Sequence, residues 1–189
     1  MIRVEHQFLN MPFYTPDWEI SHLFLGTFNP EGGDKVNYFY GRSKNKTWKL
    51  ISEVFKDDFN PEEFEFFLAK LKKNKIACMD MIKSANVPEE RITSINGNGY
   101  SDSKLINNSI QRDYNTQNIL NIISQNKNIK VYSTWGAGPQ IANWTDEIKK
   151  LKKIIPLVSP SMAARVPLGT EKFKYMLDDW SQKIAPTNL

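Results

Sequence analysis

The chain has few of the residues that build disulfides, metal centres and membrane spans. Its 189 residues include one cysteine, Cys78, and two histidines, His6 and His22. A single cysteine excludes an internal disulfide and a cysteine-held iron–sulfur cluster. Two histidines are too few for a histidine-rich metal site. No run approaches the roughly 18 consecutive apolar residues of a membrane-spanning helix, and the first ten residues lack the apolar core of a signal peptide. We therefore expect an intracellular, cytoplasmic protein with no metal.

Several common catalytic motifs are also missing. The chain has no G-x-G-x-x-G fingerprint, no glycine loop followed by G-K-[ST], and no G-x-S-x-G elbow. Both histidines lie near the N-terminus, which disfavours a Ser-His-Asp triad and histidine acid–base chemistry. No loop has calcium-binding spacing, although a carboxylate site for a hard cation stays open. Asparagine, hydroxyls, backbone amides, aromatics and arginines remain, and this set suits water positioning and charge stabilisation.

The composition is that of a globular protein with a full core and a mildly basic surface. Apolar residues make up 40% of the chain and aromatic residues 12%, and the net charge is +4. This charge permits contact with a polyanion but does not require one. The two lysine-rich blocks, at residues 70–75 and 149–153, follow predicted helices. Lysines there suit the negative end of a helix dipole, so we interpret both blocks first as helix ends and second as DNA contacts.

Hydrophobic periodicity predicts an α/β fold. Strands are predicted at residues 21–25, 75–82, 130–136 (closed by the glycines that follow) and 153–161. Helices are predicted at residues 43–55 with Ser43 as cap, 60–73 with Asn60 as cap, 115–125, 139–153 and 169–184. Residues 83–103 are polar and rich in asparagine, glycine and serine, and "SINGNGYSDS" at residues 94–103 is predicted to form a mobile loop. The alternation predicts a three-layer α/β/α domain at residues 21–185 with a central four-stranded parallel sheet, and residues 1–20 as an N-terminal extension packed on it.

Two predicted strands end in unusual polar turns. The first strand runs into "GTFNPEGG", which carries Asn29, and the fourth runs into "SPSMAAR" at residues 159–165. Ligands of open parallel sheets bind outside the carboxyl ends of the strands. From the residues alone, Asn29 is either a turn former ahead of Pro30 or a functional group.

Three segments together resemble the uracil-DNA glycosylase superfamily. "LFLGTFNP" is similar to its first motif, and is nearest to the Gly-x-Asn-Pro turn of the mismatch-specific uracil/thymine-DNA glycosylase branch. "YFYGRSKNKTWKLI" resembles the next segment of that branch and of the hypoxanthine-DNA glycosylase branch. "SPSMAAR" resembles the second motif. The resemblance spans about residues 21–180 and implies the same three-layer fold.

The resemblance implies a monofunctional DNA glycosylase of base excision repair. Such a hydrolase flips a damaged base out of DNA and cleaves its N-glycosidic bond. Uracil is the first expected base and hypoxanthine the second, with xanthine or mismatched thymine as further options. No cofactor is implied, and the expected partner of this monomer is single- or double-stranded DNA of the nucleoid. Two alternatives stay open: a non-catalytic nucleic-acid-binding protein of the same fold, and an enzyme acting on nucleosides or nucleotides.

The resemblance assigns roles residue by residue. Asn29 matches the asparagine whose amide oxygen positions the attacking water. Tyr40 matches the aromatic residue that stacks on the flipped base, and the backbone of Thr27 and Phe28 would form part of the base pocket. Asn45 matches an asparagine near a helix start, where its expected role is to fix the pocket by bonding the loop backbone.

The DNA-binding residues implied by the resemblance lie mainly in the second turn. Ser159, Pro160 and Ser161 would hold a phosphate beside the flipped nucleotide. Met162, Ala163 and Ala164 fall where the family inserts a wedge into the duplex, and Ala163 is short for that role. The remaining DNA-binding candidates are Arg165, which would fill the space left by the base or pair with a phosphate, and Arg42, where relatives often carry histidine.

Overall fold

The computed structural model describes residues 1–97, 100–106, 108–135 and 143–184. The strands are β1 (Ile2–Glu5), β2 (His22–Gly26), β3 (Ile76–Asp80), β4 (Ile82–Val87), β5 (Gln111–Tyr114), β6 (Lys130–Ser133) and β7 (Ile154–Pro156). The helices are α1 (Thr47–Phe55), α2 (Phe64–Lys73), α3 (Ile92–Asn96), α4 (Thr116–Gln125), α5 (Trp144–Lys150) and α6 (Lys172–Lys183). Short 3₁₀ turns cover Pro12–Tyr14, Glu89–Arg91 and Asp102–Ile106.

A parallel sheet in the order β3-β2-β6-β7 forms the centre of the molecule, as predicted. Every residue of β2 is buried, which is why the strand reads as a continuous apolar run. Its side chains alternate between two cores: Leu23 and Leu25 belong to one and Phe24 to the other. The first core also takes up apolar residues of α4 and α5, and the second those of α1, α2 and α6. Helices therefore cover both faces of the sheet, and the α/β class is confirmed.

A second sheet was not predicted. It is antiparallel, in the order β1-β4-β5, and pairs Ile2 with Val87 and Ile82 with Tyr114. The strand predicted at residues 75–82 is confirmed as β3 but was predicted too long, because β3 ends at Asp80 and β4 starts in the other sheet two residues later. No strand or helix was predicted in the polar segment 83–103, but it contains most of β4 and all of α3, which overlaps the start of the loop predicted at residues 94–103.

The first twenty residues contribute to both sheet and core. β1 is the edge strand of the antiparallel sheet. Phe8, Phe13 and Tyr14 are each at most 5% exposed and lie in the core beside α1 and α2. Phe8 and Phe13 contact each other and Phe39 through their rings. This segment is therefore part of the structure that surrounds the carboxyl end of β2.

Several helix starts differ from those predicted. α1 begins at Thr47, four residues after Ser43, because the Asn45 side chain binds the first turn. α2 begins at Phe64, because Asn60 instead closes a turn by accepting from the Glu62 amide. α6 is capped by the Glu171 carboxylate, which accepts two backbone amides of the first turn.

β6 and β7, which correspond to the third and fourth predicted strands, are shorter than predicted. β6 ends at Ser133, and β7 covers only Ile154–Pro156. The glycines predicted to close β6 and the predicted helix start at Pro139 lie outside the described residues. None of the described helices is long and apolar enough to cross a membrane.

Candidate functional site

The ends of the parallel strands bring polar residues to one edge of the sheet. Gly26, at the end of β2, is paired with Asp80, at the end of β3. Thr134 follows β6 and donates its backbone amide to the Leu25 carbonyl at 3.1 Å. The turn that carries Asn29 leaves β2 at this edge. The candidate site is built on this edge, where the sequence predicted it.

Asn29 is held by a buried carboxylate. Its Nδ2 donates to Oδ2 of Asp80 at 2.8 Å. The same Asp80 oxygen bonds Nε2 of His6 at 2.9 Å, and Asp80 is only 1% exposed. Two donors from distant parts of the chain therefore converge on one oxygen atom.

The hydrogen bonds define the tautomer of His6. Its Nδ1 accepts the backbone amide of Phe8 at 3.1 Å, so that nitrogen carries no hydrogen. The ring hydrogen is then on Nε2, and His6 donates it to Asp80. The ring packs among Phe8, Tyr14 and Phe28 and is 2% exposed. His6 therefore acts on the site through Asp80 and does not reach solvent.

The contact with Asp80 also orients the amide of Asn29. A reversed amide would place its oxygen against a carboxylate oxygen, so the hydrogen-bond network assigns Nδ2 to this contact. The amide oxygen, Oδ1, then points away from Asp80. Asn29 is half-buried, and its Oδ1 accepts no hydrogen bond from any described residue. The result is a fixed, neutral acceptor at the sheet edge.

The backbone of the Asn29 turn is fixed by the N-terminal segment. The Gln7 amide donates to the Asn29 carbonyl at 2.9 Å, and the Glu31 amide donates to the Glu5 carbonyl at 2.7 Å. His6 and Pro30 form an isolated antiparallel bridge between these bonds. The turn is thus clamped by backbone pairing as well as by the Asp80 carboxylate.

Gly26 has a steric reason to be glycine. A Cβ atom built on it would overlap Oδ1 of Asp80 and would come within 3.0 Å of the Tyr40 hydroxyl. The absence of a side chain lets Asp80 and Tyr40 approach the end of β2 closely.

Tyr40 lies at the same strand ends. Its hydroxyl hydrogen-bonds the Thr134 hydroxyl at 3.2 Å, and its ring contacts Trp48 edge-on. Its backbone is left-handed, with φ of 60°, a conformation that a tyrosine adopts only where its surroundings impose it. Burial first, and then the negative charges nearby, raise the pKa of Tyr40 well above its usual value. Tyr40 is therefore a half-buried, protonated aromatic residue beside Asp80.

A second carboxyl group, Asp102, faces the turn from another direction. The Thr27 side chain lies beside Asp102, and the Tyr100 hydroxyl lies 3.5 Å from the Asp102 Oδ1. Burial, with a smaller contribution from the charge of Asp80, raises the pKa of Asp102 to about 6, against opposing effects of Thr27 and Arg42. Asp102 is only partly buried, so it combines a raised pKa with access from outside.

The predicted loop around residue 100 is anchored at its centre. Tyr100 is 4% exposed and packs edge-on against Phe28, and Leu105 is fully buried. The Phe28 side chain is itself buried between Tyr100 and His6. Mobility was predicted for this segment, but these contacts hold Asp102 beside Thr27.

Arg42 lies against the protein. Its Nη1 donates to the Tyr100 carbonyl at 2.7 Å, its Nε lies 3.5 Å from Asp34, and its guanidinium stacks over the Tyr100 ring. The side chain is 25% exposed. These contacts favour a role in holding the Tyr100–Asp102 segment over a role in binding phosphate.

The second polar turn meets the loop that leads into α1. The Lys46 amide donates to the Pro160 carbonyl at 3.0 Å, and Asn45 and Ser161 form an isolated bridge. The Asn45 side-chain oxygen accepts the amide and the hydroxyl of Thr47. Asn45 therefore bonds the loop backbone, which is the structural role expected for it.

In the turn predicted to bind phosphate, at residues 159–161, some of the polar groups already bond one another. The Ser159 hydroxyl oxygen accepts the Ser161 amide at 3.4 Å, and the Ser161 hydroxyl oxygen accepts the Ala163 amide at 3.1 Å. The two hydroxyl hydrogens remain as donors. A phosphate at this turn would be held by hydroxyls, and not by the amides of Ser161 and Ala163.

Beyond this turn, Met162 is 49% exposed, and Ala163 and Arg165 are also exposed. Arg165 forms no hydrogen bond or ion pair with the described part of the chain, so its guanidinium is available to a ligand.

Asp80, His6 and Asp102 were missed by the sequence analysis. Asp80 offered a signal, because it ends a buried strand just as Asn29 follows one, but merging β3 with β4 placed it inside a strand. His6 and Asp102 gave no local signal. Their positions depend on pairing across the chain.

Other sites were considered from the geometry. Among the described residues, no group of three or more His, Cys, Asp or Glu side chains is placed to hold a metal ion. An open groove of about 540 Å³ lies between β5, α4 and α5. It is lined by acidic and basic side chains together, and no predicted site residue lines it.

Comparison of the chain with protein-family models, with curated proteins and with solved structures found no match.

Proposed function

We propose that the chain is a monofunctional DNA glycosylase with a uracil-DNA glycosylase-like fold, which hydrolyses the N-glycosidic bond of a deaminated base in DNA. Uracil is the first candidate base and hypoxanthine the second. The observation that carries the proposal is the fixed amide of Asn29. Asp80 binds its Nδ2 at 2.8 Å and leaves Oδ1 as a neutral acceptor at the strand edge, where ligands of such sheets bind.

The chemistry requires a water molecule oriented toward C1′ of a flipped nucleotide. The water oxygen forms a bond to C1′ while the C1′–N bond breaks and its electron pair goes to the base. Positive charge develops on the sugar during this step. Asn29 accepts a hydrogen bond from the water and orients it. An amide does not take up the proton, so the proton passes to the departing base or to solvent.

The remaining residues of the site support substrate binding. Tyr40 presents a half-buried aromatic ring near Gly26 and Asp80, and stacking of a base on an aromatic ring contributes about 1–3 kcal/mol. Arg165 and the hydroxyls of Ser159 and Ser161 supply donors for the DNA backbone on the neighbouring turn. Asp80 is buried and saturated on Oδ2, so it serves as a positioning residue for Asn29.

The proposal is tested with labelled oligonucleotides that contain uracil, hypoxanthine, xanthine or a G·T pair, single- and double-stranded, followed by alkali treatment. We expect strand cleavage at one or more of these bases. Asn29→Ala should lower the rate by about 100-fold or more, because the water loses its orientation. Asn121→Ala removes an exposed asparagine of α4 and should leave the rate unchanged.

Two results would contradict the proposal. Stoichiometric binding of these oligonucleotides without any abasic product would indicate a non-catalytic binding protein. Activity on free deoxynucleosides alone would indicate a nucleoside enzyme. Thermal unfolding of Asn29→Ala is measured alongside, so that loss of rate is assigned to chemistry and not to loss of the fold.

A further inference from the structure

Asp102 and Asn29 are held by the same short turn from two sides. The Thr27 side chain lies beside Asp102 and lowers its pKa, and two residues later Asn29 bonds Asp80. Two residues of extended chain span at most roughly 7 Å between Cα atoms, which is close to the span of a nucleobase. Tyr100, two residues before Asp102, packs edge-on against Phe28 in the middle of this turn, so the Asp102 segment and the Asn29 amide border the same short turn.

The Asp102 carboxyl group retains free acceptor capacity. A carboxylate has about four lone-pair positions, and two hydroxyl groups, those of Thr27 and Tyr100, approach Asp102. The charged and titratable groups around it are Asp80 at the end of β3, Arg42 ahead of α1, and the hydroxyls of Tyr100 and Tyr40. Its pKa of about 6 leaves it mostly ionised at pH 7.5, so it accepts hydrogen bonds there and donates none.

Deamination changes the edge of a base in the way that a carboxylate detects. In cytosine and adenine the ring nitrogen next to the exocyclic amine is an acceptor. In uracil, hypoxanthine and xanthine the corresponding lactam nitrogen carries a hydrogen and is a donor. An ionised carboxylate accepts a hydrogen bond from the lactam N–H and repels a ring nitrogen acceptor.

We propose that Asp102 is a specificity-determining residue that accepts the lactam N–H of the base and thereby excludes cytosine and adenine. This inference rests on the proposed function and names its substrate class. Thymine and guanine also carry a lactam N–H, so other groups discriminate among lactam bases. Arg42 contributes indirectly, because it holds the Tyr100 carbonyl two residues before Asp102.

The sharpest probe is a base that keeps its shape and loses only the donor. Oligonucleotides with a non-cleavable 2′-fluoroarabino sugar carry uracil, N3-methyluracil or cytosine at one position, and their affinities are measured by fluorescence anisotropy at pH 7.5. The wild-type chain should bind uracil about 10- to 100-fold more tightly than either other base, since a hydrogen bond to a charged group contributes about 1.5–3 kcal/mol. Asp102→Ser removes the carboxylate and leaves room for the methyl group. The ratio of the affinity for uracil to that for N3-methyluracil, and the corresponding ratio for cytosine, should both fall to about one.

Asp146→Asn provides the matched control. Asp146 is exposed on α5, and its substitution removes the same charge, so both ratios should stay at the wild-type value. The inference is overturned if the wild-type chain shows no preference for uracil, or if a folded Asp102→Ser chain keeps the wild-type ratios. Because the sugar is non-cleavable, base preference is read independently of hydrolysis. If the chain binds uracil preferentially but does not excise natural uracil, the proposed hydrolysis is contradicted and the proposed recognition by Asp102 is retained.

Discussion

One oxygen of Asp80 accepts two hydrogen bonds, from His6 at 2.9 Å and from Asn29 at 2.8 Å. We therefore expect Asp80→Ala and Asp80→Asn to lower the free energy of unfolding by different amounts. In Asp80→Ala both donors lose their acceptor. An unpaired buried donor costs about 1–3 kcal/mol. His6 is 2% exposed and finds no water, whereas the half-buried Asn29 recovers part of the loss from solvent. We expect the free energy of unfolding to fall by about 2–4 kcal/mol in total.

Asp80→Asn behaves differently because of the same geometry. Its amide oxygen can stand in the position of Oδ2 and accept both hydrogen bonds. Neutral hydrogen bonds are weaker than charge-assisted ones by about 1 kcal/mol each, and removing a buried charge offsets part of that loss. We expect the free energy of unfolding to fall by about 1 kcal/mol, well below the effect of alanine.

Urea unfolding followed by tryptophan fluorescence and far-ultraviolet circular dichroism measures both values. Coincident transitions from the two probes establish two-state behaviour. The matched control is Asp146→Ala, since the Asp146 side chain is 74% exposed and its loss should change stability by less than about 0.5 kcal/mol. Equal losses for asparagine and alanine at position 80, or an alanine loss below about 0.5 kcal/mol, would refute the shared-oxygen account.

Three further expectations follow from the site. Gly26→Ala should lower the free energy of unfolding by about 1–3 kcal/mol, because the new Cβ overlaps Asp80; the urea midpoint measures this. The raised pKa of Asp102, about 6, means that the folded chain binds more protons than the unfolded chain between pH of about 4 and about 6. Stability from this group therefore falls as pH rises through that window, and the melting temperature of the wild-type chain should fall relative to that of Asp102→Asn. Arg165→Ala should weaken binding to a double-stranded oligonucleotide and reduce the salt slope of log affinity by about 0.9, with stability unchanged, as measured by anisotropy at several salt concentrations.

One result would contradict each of these three expectations. An unchanged urea midpoint in Gly26→Ala would mean that Asp80 does not approach the strand end as described. Parallel pH profiles for the wild-type chain and Asp102→Asn would show that the carboxyl group titrates at its ordinary value. An unchanged salt slope in Arg165→Ala would remove this arginine from the DNA contacts.

The parallel sheet was predictable because each of its strands carries a local signal. β2 and β3 are continuous apolar runs, and burial on both faces requires such runs. The antiparallel sheet was not, because β1 and β5 are short, partly exposed edge strands. Edge strands need only one apolar face, and over four residues this alternation is too brief to recognise. The central strand, β4, lies in the polar segment 83–103, where no strand was predicted.

The residues of the candidate site likewise divide into those that the sequence predicted and those that it did not. Asn29 was recognisable because it follows a buried strand at an edge where ligands bind. Asp80 follows the same rule but was hidden by an unmarked change of sheet at Met81, with no glycine or proline to signal it. His6 and Asp102 reach the site through tertiary contacts, and Arg42 is turned inward by Tyr100. Long-range pairing of this kind leaves no trace in local periodicity.

The clamp on the Asn29 turn also determines when the turn forms during folding. β1 pairs with β4, with Ile2 opposite Val87, and His6 bonds Asp80 across 74 residues. Closing so long a loop has an entropic cost that only the completed antiparallel sheet and core repay. On a ribosome, β1 therefore lacks its partner strand, and His6 its carboxylate partner, until Asp80 and β4 have been synthesised. The geometry of Asn29 is a late product of folding, and a spectroscopic label that senses it would report completion of the whole domain.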